Sequence, residues 1–110
     1  MSDRRTGRTT VMLRAAVRAA ERGKTVVVVA HSDVMMREIQ HMLIGMASDD
    51  TRKRLEIAHV DRLNVYRGRS LDEVQVDHAV YEHASRNALS DLDRLIERAT
   101  HQSGTATEDT

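Results

Sequence analysis

Two short stretches carry residue types suited to holding phosphate and a divalent cation. Gly7-Arg8-Thr9-Thr10 stands before an amphipathic run. A helix N-terminus offers free backbone N–H groups and the positive end of the helix dipole, so a glycine, a cation and hydroxyls there suit a phosphate. A full phosphate loop reads G-x-x-x-x-G-K-[ST]. Gly7 matches its second glycine, Arg8 stands for the lysine, Thr9 for the magnesium-binding hydroxyl, and Ser2 sits where the first glycine belongs. The second stretch is Val74-Gln75-Val76-Asp77-His78, a strand-like run ending in a carboxylate. Nucleotide-binding α/β folds present an acid to magnesium in this way, at the C-terminal edge of a sheet. Each stretch also has a plainer reading. The first is a capped, basic helix start, and Asp77 is a helix cap after a strand.

These residues need a scaffold, and the periodicity supplies one. Residues 9–22 predict a helix, with Leu13, Ala16, Val17 and Ala20 on one face and Arg14, Arg18, Glu21 and Arg22 on the other. Gly23 is a natural C-terminal stop. Residues 25–30, Thr-Val-Val-Val-Val-Ala, form an unbroken run that reads as a strand buried on both faces. Ser32 or Asp33 caps a second helix to about Leu43, with Met35, Ile39, Met42 and Leu43 inward. Residues 48–54 read as a loop, 55–60 and 63–66 as strands, 68–70 as a turn and 74–77 as a short strand. A last helix is expected over 85–100, with Leu89, Leu92, Ile96 and Ala99 inward. Helices alternating with strands give an α/β fold, a small, largely parallel sheet flanked by helices. Residues 1–102 make one domain, and 103–110 a small, polar tail expected to be disordered. Because the sequence opens at Met1, the phosphate-loop stretch is expected to lack a preceding strand.

Composition narrows the function classes. The 17 basic and 17 acidic residues cancel, so net charge gives no support to nucleic-acid binding; only the arginine row 14, 18, 22 and Arg4, Arg5 and Arg8 keep backbone contacts open. Two tyrosines are too few for a base-stacking platform. Cysteine is absent, which removes disulfides and thiolate metal sites. The six histidines show no ligand spacing; His78 and His83 are five apart, and His31, His41, His59 and His101 stand alone. No apolar run reaches the roughly 20 residues of a membrane helix, so the expected compartment is the cytoplasm. A core without Phe, Trp or Pro is small, and self-association or a protein partner is expected to support it.

Taken in order, Gly7 to Leu13, Gly23 to Ala30 and Arg67 to Glu82 resemble a family of phage and prophage P-loop NTPase-like proteins. The resemblance covers most of residues 6–82. It implies a truncated helicase- or terminase-like core in which Gly7, Arg8, Thr9 and Thr10 hold phosphates, and Thr9 and Asp77 hold the magnesium of ATP. His78 stands where active relatives carry a catalytic glutamate, which makes it a candidate catalytic residue and hydrolysis the weaker expectation. Arg8 is not interchangeable with a lysine's point charge. The implied role is therefore an accessory or binding module with weak or absent nucleotide binding. Residues 25–39, from Thr-Val-Val-Val-Val-Ala-His31-Ser32-Asp33 onward, are similar to the later catalytic segment of histidine phosphatases. That likeness implies a phosphoryl contact for His31, although residues 1–30 offer no earlier histidine to complete such a site. The remaining alternative is a regulator that works by protein interaction alone.

Overall fold

A computed structural model describes the backbone of residues 2–66 and 70–108 and the side chains of residues 9–66 and 70–99. The order of elements is α1 (Ser2–Glu21), β1 (Val26–Ala30), α2 (Asp33–Met46), α3 (Asp49–Arg52), β2 (Leu55–His59), a 3-10 helix (Val60–Tyr66), β3 (Glu73–Val76), α4 (His78–His83) and α5 (Arg86–Glu108). The three strands form one all-parallel sheet in the order β2-β1-β3. The fold is therefore α/β, as the alternation of periods predicts.

The valine run explains the centre of the sheet. Every residue of β1 is buried, because helices cover both faces. Successive side chains point to opposite faces. Val26, Val28 and Ala30 pack with Leu13, Ala16, Val17 and Ala20 of α1 and with Met35, Ile39 and Leu43 of α2. Val27 and Val29 pack on the other face with Leu63, Tyr66, Val80, Ala88, Leu92 and Leu95. So α1 and α2 form one outer layer, and the 3-10 helix, α4 and α5 the other.

Caps and anchors fix the ends. Gly23, at φ 91, takes the left-handed turn that stops α1, and the N–H groups of Gly23 and Lys24 donate to Ala20 and Ala19. Ser32 caps α2 by accepting from the Met35 N–H at 3.1 Å. At the N-terminal end of the sheet, the Asp72 carboxylate accepts from the Thr25 N–H at 2.8 Å, while the Asp72 and Glu73 N–H groups donate to the Thr25 carbonyl. That exchange locks the entry of β3 against β1. Asp72→Ala is expected to destabilise the fold by about 1–2 kcal/mol, as a part-buried N–H loses its acceptor. Urea denaturation checks it, and an unchanged midpoint would reject the lock.

Several sequence expectations are corrected. The helix expected to begin at residue 9 begins at Ser2. The second helix runs past Gly45 to Met46, and residues 49–52 of the expected loop form the short α3, capped by Ser48. Residues 63–66 are not a strand: Val60, Leu63 and Tyr66 are buried at intervals of three, the 3-10 period, in a segment kinked at Arg62. Helix α4 is implied only by the plain reading of Asp77 as a helix cap, because its six residues are too few to show a period. The turn expected at 68–70 lies largely outside the described residues. Leu95, rather than Leu89 or Ile96, is a fully inward residue of α5. The bounds of α5 take in much of the stretch expected to form the polar tail, whose side chains are outside the described set. Among the described residues no helix is long and apolar enough to cross a membrane.

Candidate functional site

The topology dictates where a ligand would sit. From β1 the chain turns into α2 on one face of the sheet; from β3 it turns into α4 and α5 on the other. Adjacent parallel strands whose connections leave to opposite faces create a crevice at their C-terminal ends, the usual ligand position of open α/β sheets. Val29 pairs with Val76 in the register, so the residues that follow, His31 and Asp77, share that edge. The Asp77 N–H still donates to the Val29 carbonyl at 3.0 Å, which ties the turn to the central strand.

Three elements bring their polar side chains together here. The Thr9 hydroxyl of α1 donates to Asp77 Oδ1 at 3.3 Å, across 68 residues of sequence, and both residues are buried. His31 Nδ1 lies 3.8 Å from Asp77 Oδ2. Neither of those two atoms has a hydrogen-bond partner, and both are shut off from solvent. Asp77 is 3% exposed, so an unpartnered carboxylate oxygen at this position is an uncommon liability in a folded chain. The ring of His83, at the end of α4, stacks on His31 with centroids 5.1 Å apart. Asp77 also occupies the N-cap position of α4, yet its side chain makes no capping bond. The plain reading of Asp77 as a helix cap after a strand therefore holds for its position, but its carboxylate is turned to Thr9 and His31 instead of capping.

The other expected site residues are placed as follows. Gly7, Arg8, Thr9 and Thr10 all lie inside α1, not at its mouth. Backbone N–H groups within a helix are engaged by the preceding turn, so the backbone of this stretch does not form a phosphate cradle. The side chain of Arg8 falls outside the described residues, and Gly7 is described only as part of the α1 backbone. His78 opens α4 with an exposed ring paired to Glu82 at 3.4 Å. Of the two candidate catalytic histidines, His31 is the one that meets Asp77. His59 is engaged elsewhere, its Nδ1 accepting from the Asp61 N–H at 3.1 Å.

Sequence reasoning missed the His31–Asp77 juxtaposition and the part of His83. Each histidine was legible singly, but their meeting depends on β3 inserting beside β1 and on α4 turning back over the strand ends. The signal available was weak: two strand-like runs, each followed at once by a polar residue and a helix. In chemical terms the arrangement offers a hydroxyl and a carboxylate, both hard oxygen donors of the kind magnesium takes, with an imidazole at hand. Thr9 engages Oδ1 while Oδ2 faces His31, and among the described residues no group of three or more histidine, aspartate or glutamate side chains is placed to hold a metal. Compared with protein-family models, with curated proteins and with solved structures, the chain matches none of them.

Proposed function

We propose that this chain is a degenerate P-loop NTPase-like module, of phage or prophage type, that binds magnesium and a phosphate-containing ligand weakly at the Thr9–Asp77 edge and does not hydrolyse it. The observation that carries this reading is the direct hydrogen bond between Thr9 and Asp77. They are the two positions to which the resemblance assigns the cation, and they come from opposite ends of the domain. The helical backbone at residues 7–10 supports weakness: a phosphate loop cradles its ligand with free N–H groups, and here those groups serve the helix. The absence of a carboxylate at His78 supports the loss of hydrolysis. Beta strands β2 and β3 are both edges of a short sheet, and a partner or second copy pairing with one of them would give the module its accessory role.

The test is a thermal-shift and calorimetric titration with ATP and magnesium, beside Thr9→Val and Asp77→Asn. A saturable, magnesium-dependent stabilisation is expected, reaching about 1.4 kcal/mol when ligand exceeds its Kd tenfold. Both variants should lose it. No response at millimolar nucleotide, or a response that both variants keep, refutes the reading.

A second reading has its own observation. His31 stands at the end of the central strand beside a buried carboxylate, the position a phosphoryl-contacting histidine of a phosphatase-like enzyme would take. Turnover of a phosphate monoester abolished by His31→Ala but kept by Thr9→Val would favour it.

A further inference from the structure

We propose that His31 is an acyl-accepting nucleophile, whose outward nitrogen Nε2 attacks small uncharged acyl electrophiles such as esters and anhydrides. The proposal goes beyond the reading above and needs neither cation nor nucleotide. It stands on an asymmetry between the two nitrogens of one ring. Nδ1 is sealed from solvent and lies 3.8 Å from Asp77 Oδ2, its ion-pair partner. Nε2 is open: the His31 side chain keeps 21% of its surface exposed, and Nδ1 alone of its nitrogens is closed off without a hydrogen bond. A carboxylate accepts hydrogen bonds and cannot donate them. The proton of the neutral ring therefore belongs on Nδ1, and the lone pair on Nε2. A buried carboxylate that fixes a histidine's tautomer, and meets the imidazolium formed on reaction, is the orienting half of a reactive site. Contacts of this kind are often long before a substrate arrives.

The surroundings hold that arrangement in place. Asp77 is itself pinned, since its Oδ1 accepts from the Thr9 hydroxyl and its N–H donates to the Val29 carbonyl. The His83 ring stacks on His31, with centroids 5.1 Å apart and planes 29° from parallel, and so resists rotation of the ring away from Asp77. The same carboxylate selects the electrophile. With no cation at the edge, a negative charge just behind the ring repels a phosphate dianion, whereas an uncharged acyl carbon meets no such barrier. In the step itself, the Nε2 lone pair forms a bond to the carbonyl carbon. The bond from that carbon to the leaving oxygen breaks, and its electron pair departs with the oxygen. The ring is left acylated at Nε2 and protonated at Nδ1, with its positive charge facing Asp77. His31 is thus the reacting residue, and Asp77 its positioning residue.

The experiment treats the whole chain, without a histidine tag and with chelator present, with limiting diethyl pyrocarbonate, an uncharged anhydride that acylates imidazole. Peptide mass spectrometry follows each histidine separately. His31 is expected to react about tenfold faster than His41, the ratio that one hydrogen bond's hold on the tautomer supplies, although His41 is the more exposed of the two. In Asp77→Asn the amide donates to Nδ1 and moves the ring proton to Nε2. His31 should then slow by about the same factor, while His41 keeps its rate. Nitrogen NMR of the labelled protein should show the His31 proton on Nδ1 in wild type and on Nε2 in the variant. These readouts separate positioning from a structural role. Were Asp77 merely holding the fold, its loss would expose His31 and speed the modification. His31 reacting no faster than His41, a wild-type ring protonated on Nε2 alone, or an unchanged His31 rate in Asp77→Asn would overturn the proposal. The wild-type spectrum decides even if the variant fails to fold. A missing response to ATP and magnesium would remove the reading above and leave these expectations intact.

Discussion

Asp77→Asn is expected to raise the melting temperature of the metal-free protein while abolishing cation binding. The starting state is unfavourable in one specific way. Asp77 is buried to 3% exposure, its Oδ1 accepts from Thr9 at a long 3.3 Å, and its Oδ2 meets no donor. Leaving a buried acceptor unmet costs about 1–3 kcal/mol. Asparagine keeps the size and keeps an oxygen for Thr9, but turns the second atom into an N–H donor. That donor faces His31 Nδ1, the other orphan, 3.8 Å away. A movement of under an ångström brings the pair to the usual hydrogen-bond length of about 2.9–3.0 Å. One substitution thereby satisfies two buried groups and removes a desolvated charge. A gain of about 1–2 kcal/mol is expected, which for a domain of this size moves the midpoint upward by several degrees. Differential scanning calorimetry with chelator present reads it. A fall in the midpoint would show the carboxylate to be structural, and would remove the case for a residue kept for binding at the expense of stability.

The same residue marks how far the sequence could be read. The fold was legible wherever a period ran long enough to bury one face. The valines of β1 admit little but a doubly covered parallel strand, and α1 and α2 carry clear apolar stripes closed by Gly23 and opened by Ser32. Short elements were not legible. Leu63 and Val65 alternate as a strand would, yet Leu63 packs with Val60 and Tyr66 at intervals of three and Val65 is exposed, and six residues at 78–83 are too few for a helical stripe. The site was half legible for a physical reason. Thr9 and Asp77 were chosen for their chemistry, and the structure brings them within 3.3 Å. His31 was noticed, but only the β2-β1-β3 order places it beside Asp77. Strand order is set by long-range packing, to which local spacing is blind. The helix start was misplaced for the opposite reason: a glycine at residue 7 looks like a boundary, yet α1 passes through it.

Leu92→Ala should produce the largest loss of stability, and Leu13→Ala one comparable to it. Leu92 in α5 and Leu13 in α1 are both wholly buried, on opposite faces of the same sheet. Removing a buried leucine side chain costs about 2–5 kcal/mol, the transfer term plus the cavity that stiff neighbours cannot close. The strand neighbours on each side are stiff, while Met35 and the methionines packed around it give the Leu13 side more room to adapt. Val27 and Val29 line the Leu92 side, and Val26 and Val28 the Leu13 side; β-branched side chains have few rotamers with which to refill a void. The chain has no phenylalanine or tryptophan, and the cluster around Leu13 holds no aromatic ring to lean in; Tyr66 lies on the Leu92 side. Total stability in small domains is about 5–15 kcal/mol, so either change removes a large share. The two variants also test the architecture. A three-layer domain with one central strand should unfold as a unit, so urea transitions followed by circular dichroism and, in a Tyr81→Phe background that leaves Tyr66 the sole tyrosine, by Tyr66 fluorescence should shift together in each variant. Tyr66 sits only in the Leu92 layer. If Leu13→Ala moved the helical signal but left the Tyr66 transition in place, the two layers would be separable. The crevice between β1 and β3 would then have no single rigid frame, since Thr9 comes from one layer and α4 from the other.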